Sequence, residues 1–174
     1  DPIPYGSFLR EVDALRKLRH PHIVPFYGSD RTEDFDFFLL GYINGPTLKQ
    51  TLRRQAGRPM AVQDVLIYYK AISSALGYAH NKGYVHCDVK PANIMVDTGG
   101  NVYLTDFGIA RYADSTTTTT LAGAGAPAYM APEQIRMGPV TAATDVYALG
   151  IMLFELLTGQ RPFRGEDASG SGRT

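Results

Sequence analysis

The chain has 174 residues, room for about one domain, and its 44% hydrophobic and 20% charged residues are ordinary for a globular protein. Lys plus Arg and Asp plus Glu number 17 each, so the zero formal net charge disfavours nucleic acid as a partner. The single cysteine, Cys87, excludes an internal disulfide, and no apolar run reaches the length of a membrane span. We therefore expect a cytoplasmic segment with no membrane contact of its own. Whether a membrane anchor lies outside the segment stays open.

The first part of the chain predicts a helix followed by two strands. Apolar residues recur every three positions between residues 8 and 20, at Leu9, Val12, Leu15 and Leu18, which indicates one helical stripe. Pro21 disfavours a helical conformation in the residue before it and is expected to end this helix. Two strand-like runs follow at residues 23–27 and 35–40, and the polar residues 29–34 are expected to form the turn between them.

The remainder is predicted to be mainly helical. Thr47 can cap a short helix ending near residue 55. The apolar spacing of residues 62–81 predicts a long helix, ended by Gly83, and residues 144–157 predict a second one.

Short strands and loops lie between these two long helices. Strands are expected at residues 84–86, 94–96 and 102–104, with Gly99 and Gly100 turning between the last two. Residues 112–126 are low in complexity and are expected to form a mobile loop, and the Gly/Ser-rich tail from residue 165 is expected to be frayed.

Four short motifs follow one another in the second half of the chain. They are His86-Cys87-Asp88-Val89-Lys90-Pro91-Ala92-Asn93, Asp106-Phe107-Gly108, Ala131-Pro132-Glu133, and Asp145 in the last predicted helix. In this order and spacing they resemble the signature set of the eukaryotic-like (bacterial Hanks-type) serine/threonine protein kinases, from about residue 8 to residue 163. The resemblance implies an α+β, two-lobed kinase-like fold with a partial small lobe and most of a helical large lobe. Residues 1–43 would be the small-lobe remnant, 44–164 the partial large lobe and 165–174 a disordered tail.

The residue types in these motifs suit phosphoryl transfer, which requires a protein mainly to position groups and neutralise charge. Asp88 is expected to accept the hydrogen bond of an incoming hydroxyl and take its proton, with Lys90 near the transferred phosphate. Asn93, in the same catalytic loop, and Asp106 supply the oxygen ligands that Mg²⁺ prefers. The predicted reaction is transfer of the ATP γ-phosphate, with Mg²⁺, to Ser or Thr of protein substrates.

The resemblance also implies which residues contact ATP. Glu11, on the first predicted helix, would pair with the phosphate-binding lysine of the family. Leu40 would lie at the back of the adenine pocket, and Met95 beneath the adenine ring. Backbone groups of Gly41 and Ile43 would hydrogen-bond the adenine.

Packing and regulatory roles are implied in the same way. Leu15 would pack toward Phe107 and His86, and His86 would be a structural histidine in the core. The five threonines at residues 116–120 fall where kinases of this family are switched by phosphorylation. A phosphorylated switch and a solvated loop without a regulatory role both stay open.

The chain departs from the family pattern at its two ends. No glycine-rich phosphate loop precedes Glu11, and no lysine precedes Lys17. The chain also ends soon after Phe163, before the arginine that normally pairs with Glu133. We therefore expect a kinase domain truncated at both ends, whose isolated 174 residues are inactive.

Two substitutions depart from the pattern inside the motifs. Cys87 stands where most kinases have arginine, which weakens the case for phosphorylation switching, and Ala126 replaces a threonine that bonds the catalytic aspartate and lysine. They favour an alternative class, a pseudokinase acting as a binding or scaffold module, which the intact catalytic and metal-binding residues oppose. A small-molecule phosphotransferase of related fold is a second alternative, but it would not be expected to carry the Ala131-Pro132-Glu133 motif.

Overall fold

The computed structural model describes residues 12–13, 15–32, 35–107, 111–112 and 127–163. Residues 12–13 and 15–17 have helical backbone, within the first predicted helix. The strands are β1 (Phe26–Arg31), β2 (Asp36–Leu40), β3 (Tyr84–Val85), β4 (Ile94–Val96), β5 (Val102–Leu104) and β6 (Arg111–Tyr112). The helices are α1 (Leu48–Gln55), α2 (Val62–Asn81), α3 (Pro132–Ile135) and α4 (Ala142–Thr158), with 3₁₀ turns at Pro91–Asn93 and Pro127–Tyr129.

β1 and β2 form an antiparallel pair, and β1 begins and ends later in the chain than the sequence predicted. The strand predicted at residues 23–27 is confirmed only in its last two residues, which begin β1, because this run divides at Pro25 between two partners. Before Pro25, the Val24 amide donates to the Leu104 carbonyl, so this part of the chain pairs with β5. After it, β1 continues through residues 29–31, which the sequence had assigned to the turn. The carbonyl of Phe35 instead accepts from the Thr32 amide where the chain reverses.

The long helices follow the apolar spacing closely. α2 has the predicted bounds, and Gly83 follows it with a left-handed φ of 82°. α1 begins after Thr47 as predicted, because the Thr47 hydroxyl accepts from the Gln50 amide while the Gln50 side chain accepts from the Thr47 amide. α4 begins at Ala142, before the predicted residue 144, because Thr141 supplies its N-cap.

One apolar core joins these elements. It includes Leu15, Ile23 and Phe107 together with side chains from α2, the β4–β5 hairpin and α4. Completely buried members include Ile72 on α2 and Met152 on α4. Full burial of a side chain of this size contributes about 1.5–3 kcal/mol. The core therefore fixes the strands from which the functional loops extend.

The segment between β2 and α1 lies against β4. The Val96 amide donates to the Pro46 carbonyl at 3.1 Å, and the Thr98 amide donates to the Asn44 carbonyl at 3.0 Å. A Cβ atom at Gly45 would come within 1.8 Å of the Val96 carbonyl oxygen, so this close approach requires glycine.

β4 and β5 have the predicted bounds, and Gly100, with a φ of 82°, forms part of the turn between them. Within the described ranges, none of the helices combines the length and the apolar character needed to cross a membrane.

Candidate active site

The loop after β3 brings Asp88, Lys90 and Asn93 into one hydrogen-bonded cluster. The Asp88 carboxylate accepts from the Lys90 ammonium at 2.6 Å and from the Asn93 side-chain amide at 2.8 Å. The same amide nitrogen donates to the Asp88 carbonyl at 2.9 Å, which leaves Asn93 Oδ1 outside this cluster. Pro91 begins the 3₁₀ turn that positions Asn93, because the fixed φ of proline suits the first helical residue.

Asp106 is placed beside this cluster by the segment that follows β5. The Thr105 amide and hydroxyl both donate to the Asn93 carbonyl, at 2.9 and 3.2 Å. Asp106 comes next, with a φ of 59°, a left-handed conformation that aspartate adopts more readily than most residues. Its exposed carboxylate lines the same cavity as Lys90 and Asn93. Asn93 and Asp106, from separate loops, therefore line one cavity, and amide and carboxylate oxygens suit Mg²⁺ when phosphates supply its other ligands.

His86 connects the two loops from inside the core, where it is completely buried. Its Nδ1 accepts from the Asp88 amide at 3.2 Å, and its Nε2 lies 2.9 Å from the Thr105 carbonyl oxygen, to which only an N–H can donate. These two bonds select the tautomer with the proton on Nε2. The imidazole also packs edge-on against the Phe107 ring, with 4.5 Å between ring centroids. His86 is thus a packed structural histidine, as the resemblance implied.

Asp145 holds the backbone of the same loop in place. Its carboxylate is completely buried and accepts from the backbone amides of His86 and Cys87, both at 2.8 Å. Nε2 of His80 lies 2.7 Å from the same carboxylate. Cys87 has a φ of 66°, a costly conformation for a residue with a Cβ, and the bond to Asp145 helps to maintain it. Sequence reasoning noted Asp145 only as a motif residue and did not predict this role.

The helix α3 adds a second support that the sequence did not predict. The Gln134 side-chain amide donates to the Cys87 carbonyl at 2.8 Å, so both backbone groups of Cys87 are bonded by distant side chains. Beside it, Glu133 was expected to lack its arginine partner. Its carboxylate accepts from the Thr144 hydroxyl at 2.6 Å.

The residues expected to contact adenine lie around the segment between β2 and α1. Leu40 ends β2, and the Gly41 amide donates to the Pro25 carbonyl at 2.7 Å, so Gly41 could contact a purine only through its carbonyl. Met95, on β4, forms a bridge with Thr47, which places it next to the same segment. The cavity lined by Asp106 does not include these residues, and Ile43 lies in the connecting chain. Glu11, Ala126 and the threonines at 116–120 lie outside the described residues.

A half-buried pair borders the cavity on the side of α4. The Tyr129 hydroxyl donates a hydrogen bond to the Glu155 carboxylate. Burial, together with that hydrogen bond, raises the pKa of Tyr129 well above its usual range. Tyr129 therefore stays protonated and acts as the donor. Neither residue carried a signal in the sequence, because they are 26 positions apart and only the fold brings them together.

This site, on an α+β fold of small sheets and long helices, belongs to a known class. A family model described as the protein kinase domain matches residues 4–173, and the chain belongs to this family. Its kinase-like fold is the one that the sequence motifs implied.

Curated relatives are bacterial serine/threonine kinases by name. The chain is 43% identical to serine/threonine-protein kinase PrkC of Bacillus subtilis over 162 residues, covering 92% of this chain and 25% of PrkC. It is 40% identical to the probable serine/threonine-protein kinase PknB of Lactococcus lactis over 169 residues, covering 97% of this chain and 27% of PknB. It is 42% identical to serine/threonine-protein kinase PkaA of Streptomyces coelicolor over 165 residues, covering 92% of this chain and 30% of PkaA. The chain thus spans between 25% and 30% of the length of these relatives.

Proposed function

We propose that the protein transfers the γ-phosphate of ATP to serine or threonine hydroxyls of other proteins. One observation carries the proposal: a single carboxylate, Asp88, is bonded to both Lys90 and Asn93, while Thr105 ties Asn93 to the segment bearing Asp106. A base, a cation and two metal-binding oxygens are therefore held together by short bonds, as phosphoryl transfer requires.

The Asp88 carboxylate is the catalytic base in this proposal. It accepts the hydrogen bond of the incoming hydroxyl and takes its proton as the oxygen attacks. The Asn93 amide, which donates to Asp88 at 2.8 Å, orients that carboxylate. Lys90, whose ammonium lies 2.6 Å from Asp88, is close enough to stabilise the negative charge of the transferred phosphoryl group.

Asn93 and Asp106 are the proposed ligands of Mg²⁺, since both residues line one cavity and carry oxygen ligands. The bound ion would neutralise phosphate charge. Leu40 and Met95 would enclose the adenine, with the Gly41 carbonyl accepting a hydrogen bond and the Ile43 amide donating one. Glu11 keeps its proposed role as the partner of a phosphate-binding lysine.

Proteins are the proposed substrates rather than nucleic acids, because the chain has zero formal net charge. ATP as the donor and a single cysteine favour the cytoplasm as the compartment. The protein names of the relatives disfavour the small-molecule phosphotransferase alternative.

The test is phosphoryl transfer by the complete protein, as its gene encodes it. Purified protein is incubated with γ-labelled ATP, Mg²⁺ and a mixture of acidic, neutral and basic test proteins. We expect label on phosphoserine and phosphothreonine, lost on addition of EDTA and restored by excess Mg²⁺. Label on phosphotyrosine would contradict the specificity. A folded protein that binds ATP and transfers nothing would contradict the activity and support the pseudokinase alternative.

A further inference from the structure

The cavity beside the catalytic cluster has a lining that phosphoryl transfer alone does not explain. Its volume is about 750 Å³, within the usual range of ligand-binding pockets. Besides Lys90, Asn93 and Asp106, the lining includes Lys49 and Arg53 from α1 and Arg161 from the segment after α4. Cations from two separate parts of the fold thus line the same space.

The carboxylates of the cavity do not balance these cations. Asp106 is assigned to the metal, and Glu155 already accepts the hydrogen bond of Tyr129. Arg161 Nε lies 4.0 Å from Glu155, and 48% of the Arg161 side chain stays exposed. Across the described part of the chain, Lys49 and Arg53 take part in no ion pair. The cavity therefore carries an excess of positive charge away from the catalytic cluster.

Helix stability does not account for the charges on α1. The helix contains Lys49, Arg53 and Arg54 and no acidic residue. Arg53 and Arg54 lie in the last turn, where a cation interacts favourably with the helix dipole, but Lys49 lies near the N-terminus, where it does not. Lys49 and Arg53 are also four residues apart on one face, so their like charges repel. This arrangement favours a role in binding an anionic group.

We propose that Lys49, Arg53 and Arg161 select protein substrates that carry acidic side chains close to the acceptor serine or threonine, an inference that rests on the proposed kinase function. Guanidinium groups bind carboxylates through two parallel hydrogen bonds, and a cleft lined by charge of one sign concentrates ligands of the other. Basic side chains at the same positions in a substrate are repelled. The occupant is therefore an acidic segment of a protein, lying in the cavity with its hydroxyl at Asp88.

The first arm of the test compares three peptides with the complete protein. They share one acceptor threonine and differ only at the flanking positions, which are Glu, Gln or Lys. We expect kcat/KM to fall in that order, with the Glu peptide favoured over the Gln peptide about tenfold at low salt, and less at high salt because exposed charges are screened.

The second arm compares a double variant of the cavity residues with a control variant on the same helix. Replacing both Lys49→Gln and Arg53→Gln is expected to reduce the preference for the Glu peptide to about twofold, mainly through KM. Arg54→Gln removes one positive charge from the same helix at an exposed residue that does not line the cavity, and it should leave the preference unchanged.

The possible results distinguish a failure of the proposed acidic selection from a failure of the proposed kinase function. Equal phosphorylation of all three peptides, or the same loss of preference in Arg54→Gln as in the double variant, would overturn the acidic selection while leaving the kinase function intact. Absence of transfer to any peptide or test protein would contradict the proposed function, and the inference with it.

Discussion

Replacing Asp88 with asparagine is expected to lower the rate of phosphoryl transfer by a factor of about 10²–10⁴, the usual contribution of a general base. The amide keeps the size of the carboxylate and one acceptor for the bonds from Lys90 and Asn93, so the loop should keep its shape. It cannot take a proton from the acceptor hydroxyl. The measurement is single-turnover transfer from labelled Mg-ATP by the complete protein.

The control for this variant is Asp64→Asn, the same change at an exposed residue in the first turn of α2. It should leave the transfer rate unchanged, and Asp88→Asn should bind Mg-ATP within about threefold of the wild type, because Asn93 and Asp106 are intact. An Asp88→Asn protein that transfers phosphate at the wild-type rate would exclude Asp88 as the base.

Replacing Asp145 with alanine is expected to lower the free energy of unfolding by about 3–5 kcal/mol. The carboxylate accepts two backbone amides and lies 2.7 Å from His80 Nε2, so its loss leaves one buried and two half-buried donors without an acceptor. A protein of ordinary stability has only about 5–15 kcal/mol in total. Urea denaturation measures the loss, and amide hydrogen exchange at His86 and Cys87 locates it.

Two variants make this result interpretable. Asp145→Asn keeps one acceptor oxygen and should be less destabilised than Asp145→Ala. Asp64→Ala, at an exposed position, should change stability by less than about 0.5 kcal/mol. An Asp145→Ala protein within about 1 kcal/mol of the wild type, with normal exchange at His86 and Cys87, would mean that the loop is held by other contacts.

Interactions between residues close in sequence were sufficient to predict several helices and strands. α2 and the strands β4 and β5 have the expected bounds, because apolar periodicity and the Gly99-Gly100 turn are read directly from neighbouring residues. Thr47 was predicted as a cap for the same reason, since its hydroxyl bonds an amide three residues away. The protein kinase class followed from motif order, which the family match confirms.

Long-range pairing explains what the sequence did not reveal. Only the end of the strand predicted at residues 23–27 belongs to β1, because its first residues pair with β5 through the bond from Val24 to Leu104. No local pattern contains that information, although Pro25 marks the place where the run divides.

The same reason accounts for the unexpected parts of the site. Asp145 bonds Cys87 across 58 residues, and Gln134 bonds it across 47. The available signal was an aspartate near the start of an apolar helix. A charged residue that the helix buries must find hydrogen-bond donors. Which donors it finds depends on packing.

Asn93 and Asp106 are proposed to form one metal-dependent nucleotide site next to Asp88, and the affinity of the complete protein for ATP tests this assignment most directly. Calorimetry with Mg²⁺ and with EDTA measures the coupling between metal and nucleotide, in the wild type and in Asp106→Asn. We expect Mg²⁺ to tighten ATP binding to the wild type by about tenfold or more, and the variant to lose most of this gain. An equal Mg²⁺ dependence in both proteins would contradict the assignment of Asp106 as a ligand.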